Sequence, residues 1–196
     1  MKRAALIALF GCLGLGLLQG CDTPAKFAST DITGATFAAK GFTLTSHQGK
    51  PVSLDDFRGK VVVVFFGFTQ CPDVCPTTLA TMAQVMTLLG KDAERVQVLF
   101  ITLDPERDTQ AVLSHYVPQF HASFLGLFGD LSATSATAKD FKVFFQKTPL
   151  QTGGYTIDHA TSSYIFDPAG RVRLYTQHTA PADVLAQDIR QLLAGK

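Results

Sequence analysis

VVVVFFGFTQCPDVCPTTLATMAQVMTLL, residues 61–89, carries two periodicities in succession. Residues 61–68 are apolar at every position and rich in β-branched and aromatic side chains, the pattern of a strand buried on both faces of a sheet. From Pro76 onward the apolar residues fall at Leu79, Met82, Ala83, Met86 and Leu89, a helical spacing, with proline suited to the first helical position and Gly90 to the stop. A central strand therefore turns directly into a helix, and Cys71 and Cys75 lie in the turn. Met82 and Met86 follow the buried stripe and read as core packing, not as ligands.

Working outward, VQVLFITL (residues 96–103) reads as a second buried strand. Asp108 reads as the cap of a helix running toward Tyr116, and 130–145 includes another helical segment. SSYIFD and RVRLYTQ flank the turn Asp167-Pro168-Ala169-Gly170 as an antiparallel hairpin, and residues 183–193 form a closing helix. Upstream, FTLTSHQGKPVSL (residues 42–54) alternates around a Gly-Lys turn as a first hairpin. This order predicts an α/β protein, a thioredoxin-like three-layer α/β/α fold with a mixed central sheet and an N-terminal β-hairpin. In such a sheet the usual site is the loop after the first core strand together with the N-terminus of the next helix, where CPDVC stands.

At the N-terminus, Lys2 and Arg3 precede an uncharged run from Ala4 to Leu18, short for a bilayer span, which reads as an export signal. It closes on Leu18-Gln19-Gly20-Cys21, which resembles the lipobox of bacterial lipoproteins, and that resemblance implies cleavage before Cys21 and its lipidation. The expected organisation is a lipoprotein signal over residues 1–20, a tether over 21–40 and one domain over 41–196. Loss of the signal removes Lys2 and Arg3 from a near-balance of 17 basic and 16 acidic residues. No run of like charges remains to mark a nucleic-acid-binding surface. Of the four cysteines, Cys12 leaves with the signal and Cys21 carries the lipid. The domain keeps only Cys71 and Cys75, which excludes a disulfide-stapled scaffold.

Placed near a helix start, both sulfurs are close to unpaired backbone N–H groups and to the positive end of the helix dipole, which favours thiolates. A lowered thiol pKa serves attack on a disulfide and coordination of a soft metal equally well, so the pair alone does not choose between them. The spacing departs from the two intervening residues of thioredoxin-like oxidoreductases: here three intervene, Pro72, Asp73 and Val74. The most credible third donor is His159 in YTIDHATSSYIF, just before a strand expected beside the cysteine-bearing strand. Thioredoxin-like oxidoreductases place a cis-proline at about that point, and no proline lies between Gln151 and Asp167. Two thiolates and one imidazole make a soft set suited to Cu(I) and expandable for Cu(II).

FGFTQCPDVCPTTL, LDPERDT and DHATSSYIFDPAGRV together resemble the Sco/SenC family of copper proteins, over roughly residues 41–194. The resemblance implies a membrane-anchored, thioredoxin-fold metallochaperone that binds copper and helps assemble the dinuclear copper site of cytochrome c oxidase. The family's copper ligands carry over to Cys71, Cys75 and His159. Ala160 and Thr161 follow the histidine where the family often has serine, and neither position ligates. The implied partners are the copper-bearing subunit of cytochrome c oxidase, other periplasmic copper chaperones or thiol reductants, and the membrane through the lipid on Cys21. The implied location is the periplasmic face of the bacterial inner membrane.

Asp104 in LDPERDT is expected at the strand end nearest the cysteines, as an acceptor behind the ligands, a partner-docking charge or a turn former. His47, His115, His121 and His178 have no cysteine or carboxylate at ligand spacing and read as exposed or locally bonded. The rival reading is a thiol-disulfide reductase that keeps a client's copper-site cysteines reduced, with one thiolate attacking and the other resolving. A peroxide-reactive protein is a third, and structural zinc would call for a fourth ligand.

Overall fold

In the computed structural model the described residues are 26–38 and 41–196. The expected leader and Cys21 lie outside them. The elements in chain order are β1 (Thr30–Asp31), β2 (Thr43–Ser46), β3 (Pro51–Ser53), β4 (Val61–Gly67), α1 (Val74–Leu89), β5 (Val96–Thr102), α2 (Gln110–Tyr116), β6 (Leu125–Phe128), α3 (Leu131–Asp140), β7 (Phe145–Pro149), β8 (Tyr155–His159), β9 (Ser162–Phe166), β10 (Val172–Gln177) and α4 (Ala182–Leu193).

Eight strands form one mixed sheet in the order β1-β10-β9-β4-β5-β6-β2-β3. The parallel trio β4, β5 and β6 sits at its centre, and β9 runs antiparallel to β4 on the other side. Every residue of β4 and β5 is buried, as a strand covered on both faces requires. Side chains alternate between the faces. Phe65 pairs with Phe100 on the face that receives Cys75, whereas Phe66 meets Phe141, at the end of α3, on the opposite face. Helices thus cover both faces of the sheet, and the fold is the expected thioredoxin-like one.

The hairpin over 42–54, the strand–helix–strand unit and the closing hairpin and helix appear where the sequence places them. Three features were not read. β6 is a four-residue LGLF strand beside β5. β7 and β8 pair only with each other, as a separate two-stranded sheet. The helical segment expected within 130–145 is α3, capped at its start by Asp130, which accepts from the Ala133 N–H at 2.7 Å.

The third unread feature concerns the expected tether. Residues 26–38 lie against the domain as a strap, with β1 pairing antiparallel to β10 at the sheet edge. Phe27, Ile32 and Phe37 pack on the core and Ala38 is buried. The buried carboxylate of Asp188 on α4 accepts from the Ala28 and Ser29 N–H groups at 2.9 and 2.8 Å. The packed region therefore begins well before residue 41, because anchors distant in sequence bind a stretch with no periodicity of its own.

Candidate metal centre

Gly67 ends β4, and the chain reaches α1 through Phe68 to Asp73. The helix begins at Val74, two residues before the expected first position at Pro76, so Cys75 lies inside the first turn. The Asp73 side chain makes no capping hydrogen bond. Cys71 serves in its place: the Cys75 N–H, one of the unpaired donors of the helix start, donates to Cys71 Sγ at 3.5 Å. Cys71 is half-buried, Cys75 is fully buried, and both are free thiols. Room for the Cys75 sulfur comes from Gly67, where a Cβ would stand 2.8 Å from Cys75 Sγ and 2.9 Å from the Phe100 ring.

The two thiols are driven apart in acidity. The hydrogen bond from Cys75 pulls the Cys71 pKa down to about 5, aided by the backbone N–H groups of Asp73 and Cys75 and by His159, against the opposing effect of burial. Cys71 is therefore a thiolate at neutral pH. Cys75 is pushed far above the ordinary thiol range because it donates that hydrogen bond and is buried. The pair holds one proton between a partly exposed nucleophilic sulfur and a shielded thiol.

His159 is the last residue of β8, opposite Phe145, and its ring stands edge-on to Phe68 at 6.0 Å. Nδ1 lies 2.7 Å from the Ala160 carbonyl oxygen. A carbonyl can only accept, so Nδ1 carries the proton and Nε2 keeps its lone pair. Burial lowers the pKa of the ring, which favours this neutral form, while the Ala160 carbonyl and the Cys71 thiolate oppose the shift. The structure thus brings Cys71 and Cys75 together and sets His159 in the electrostatic field of Cys71. Among the described residues it does not gather three or more His, Cys, Asp or Glu side chains into a cluster able to hold a metal ion. The donor chemistry fits a soft metal, with a thiolate, a thiol whose proton a metal would displace, and a free imidazole lone pair. The set is complete only if His159 and the two sulfurs come closer together than they stand here.

With this geometry in hand, comparison with known proteins is decisive: the model of the SCO1/SenC family matches residues 30–194. This chain belongs to the SCO1/SenC family. The mouse mitochondrial SCO2 homologue is 36% identical over 98% of this chain and 78% of its own length. Apo Sco1 from Thermus thermophilus, solved in solution, is 39% identical with a TM-score of 0.76, over 85% of this chain and 97% of that one. ScoI from Bradyrhizobium japonicum, solved with copper bound, is 36% identical with a TM-score of 0.72, over 78% of this chain and 97% of that one.

Two acidic residues of the family motif LDPERDT take roles the sequence did not reveal. Asp108 does not cap α2; Thr109 does, accepting from the Val112 N–H at 3.3 Å. Asp108 is wholly buried and turns back to the cysteine loop. It accepts from Thr69 N–H at 2.9 Å, Thr69 Oγ1 at 2.6 Å and Thr102 Oγ1 at 2.6 Å. Burial raises its pKa, and the three donors oppose that rise. Thr69, two residues before Cys71, is thereby fixed to the end of β5. Asp104 is 1% exposed, too deep for a docking charge, and its carboxylate is taken up by Arg107 and by the Tyr155 hydroxyl at 2.9 Å. Met82 and Met86 are buried in the core. His121 and His178 bond Ser123 and Thr161, whereas His47 is buried, with Nδ1 accepting from the Gly126 N–H at 3.0 Å.

Proposed function

We propose that this SCO1/SenC protein is a metallochaperone that binds copper as cargo and delivers it to the dinuclear copper site of cytochrome c oxidase. The observation that carries the proposal is a Cys71 thiolate beside the Cys75 thiol at one strand-to-helix turn, with a neutral His159, its Nε2 free, at the end of β8 in the field of Cys71. In this reading Cys71 captures the metal first, being half-exposed and already deprotonated. Cys75 yields its proton on binding, and His159 completes the set as the β7–β8 hairpin closes. Release proceeds by ligand exchange, a partner's sulfur or imidazole entering before these donors leave. The copper-bound ScoI from Bradyrhizobium japonicum supports cargo of this kind. In the same proposal a lipid on Cys21 holds the domain at the periplasmic face of the inner membrane, beside the copper-bearing oxidase subunit.

Anaerobic copper titration of the reduced protein beside Cys71→Ser, Cys75→Ser and His159→Ala tests this. Each substitution is expected to weaken binding by tenfold or more, since even partners behind a ligand are worth ~10–100-fold. Equal affinities in all four proteins would remove the site.

The unequal acidity of the cysteines favours one second reading, reduction of a client disulfide. Cys71 thiolate would attack one client sulfur, releasing the other as thiolate and forming a mixed disulfide. Cys75, passing its proton to the client, would then displace it as a reduced thiol–thiolate pair and leave a Cys71–Cys75 disulfide, two electrons and one proton having passed to the client. In that case His159→Ala leaves disulfide exchange intact. The roles are linked, because that disulfide removes both sulfur donors at once.

A further inference from the structure

The hairpin of β7 and β8 ends in His159, yet neither strand pairs with the eight-stranded sheet. A two-stranded hairpin is marginal by itself, so side-chain contacts must set its position. At the His159 end those contacts are the Phe68 ring and buried Ile157. At the far end, beside the hairpin turn, they converge on one guanidinium. Arg107 pairs with buried Asp104 through Nε, donates from Nη1 to the Tyr155 carbonyl at 2.9 Å, and reaches Gln70 Oε1 at 3.1 Å. Its guanidinium carbon also lies 3.7 Å from the centroid of the Tyr155 ring, whose hydroxyl donates to Asp104. Gln70 is the residue immediately before Cys71. One side chain therefore touches the cysteine loop, the LDPERDT loop and the hairpin that carries the histidine.

We infer that Arg107 is a positioning residue for the Cys71, Cys75 and His159 donor set, holding the tip of the hairpin so that its other end keeps His159 within reach of the cysteine loop. The inference rests on the copper-binding reading for its consequence, although the clasp itself is independent of metal. Three features single out Arg107 from its neighbours. Its partner carboxylate is buried, so the pair is little screened by solvent. Its planar fork serves three acceptors at fixed angles, which an ammonium group cannot do. The adjacent Glu106–Lys147 pair, at 2.6 Å, is solvent-exposed on both sides and so contributes little.

Two measurements test this, on the reduced protein beside Arg107→Ala, Arg107→Lys and the control Lys147→Ala. Without metal, amide hydrogen exchange across β8 is expected to accelerate by about tenfold or more in Arg107→Ala, and less in Arg107→Lys, while β4 and β5 are unchanged and Lys147→Ala matches the parent. Unchanged β8 exchange in Arg107→Ala overturns the clasp whether or not the protein binds copper. In anaerobic copper titrations, Arg107→Ala is expected to weaken binding by about tenfold in the parent and to cause no further loss in a His159→Ala background. Equal losses in both backgrounds would mean that Arg107 supports the fold at large, and would overturn its role in placing His159. Absence of copper binding by the parent would defeat the functional reading alone, leaving the exchange experiment to decide the clasp.

Discussion

Gly67→Ala probes the packing beneath the two cysteines at a single methyl group. The backbone of Gly67 is in the extended strand, so the cost is steric and not conformational. The new Cβ would meet Cys75 Sγ at 2.8 Å, Phe100 Cε2 at 2.9 Å and Phe65 Cε1 at 3.1 Å, where comfortable carbon contacts begin at about 3.5 Å. All three neighbours are completely buried, so none can swing into solvent. Overpacking of this kind costs about 1–3 kcal/mol, and three simultaneous clashes put the substitution near the upper end. Alanine recovers about 0.4–1 kcal/mol by restricting the unfolded chain, leaving a net loss of ~2 kcal/mol. For a chain of this size that lowers Tm by about 4–8 °C. Thermal unfolding of the reduced protein by circular dichroism reads it directly. The companion experiment is Gly67→Ala with Cys75→Ala, which removes the closest clash. The double variant is expected to be at least ~1 kcal/mol more stable than the sum of the single effects predicts. A fall in Tm below about 1 °C, or strict additivity, would refute the claim that Gly67 makes the space for the Cys75 sulfur.

Three further outcomes follow from the same geometry. Asp108→Ala strands the Thr69 N–H and two hydroxyls and is expected to cost ~3 kcal/mol in urea unfolding, with Asp108→Asn milder because its amide oxygen still accepts; a loss under ~0.5 kcal/mol for the alanine variant would contradict the clamp on the cysteine loop. The rate of Cys71 alkylation by iodoacetamide is expected to rise with pH through a midpoint near the thiol's pKa of about 5, and Cys75→Ala, by deleting the main hydrogen-bond donor, should move that midpoint upward; an unmoved midpoint would assign the acidity elsewhere. For His47, burial lowers the pKa below its ordinary 6.5, so the unfolded chain takes up a proton that the folded ring resists. Its stabilising contribution is therefore complete above pH 6.5 and lost as pH falls below it, and urea unfolding of His47→Gln should be less sensitive to acid than that of the parent; identical slopes would exclude His47 as a source of acid sensitivity.

The parts of the fold legible in the sequence were those whose pattern is set locally and strongly. β4 is apolar at every position and β5 is apolar save for Gln97 and Thr102, because both faces are covered, and α1 shows its buried stripe. β6 escaped because four residues with a central glycine carry no period. β7 and β8 escaped because, lying outside the main sheet, they keep exposed polar residues such as Gln146, Lys147 and Asp158. The strap over residues 26–38 is held by Asp188, some 160 positions away, and nothing within the strap announces that partner. In the candidate site, the cysteines at the strand-to-helix turn were readable from spacing; His159 was expected from its donor type and its place before β9, and the structure sets it at the end of β8 without gathering it to the two sulfurs. The role of Asp108 was not, because an aspartate and a threonine side by side before a helix carry the same capping signal; the threonine caps, and the aspartate is freed to bind the loop from below. Arg107 was equally hidden, since its contacts with Gln70 and Tyr155 exist only once three separate segments have been brought together.

The claim on which the account most depends is that one imidazole joins two neighbouring sulfurs when the hairpin closes. X-ray absorption at the copper edge, on the Cu(I)-loaded reduced protein and on its His159→Ala variant, addresses it without reference to any client. The account predicts two sulfur scatterers and one imidazole nitrogen in the parent, with the nitrogen missing from the variant. A parent site made of sulfur alone, or a nitrogen shell that survives the substitution, would contradict it.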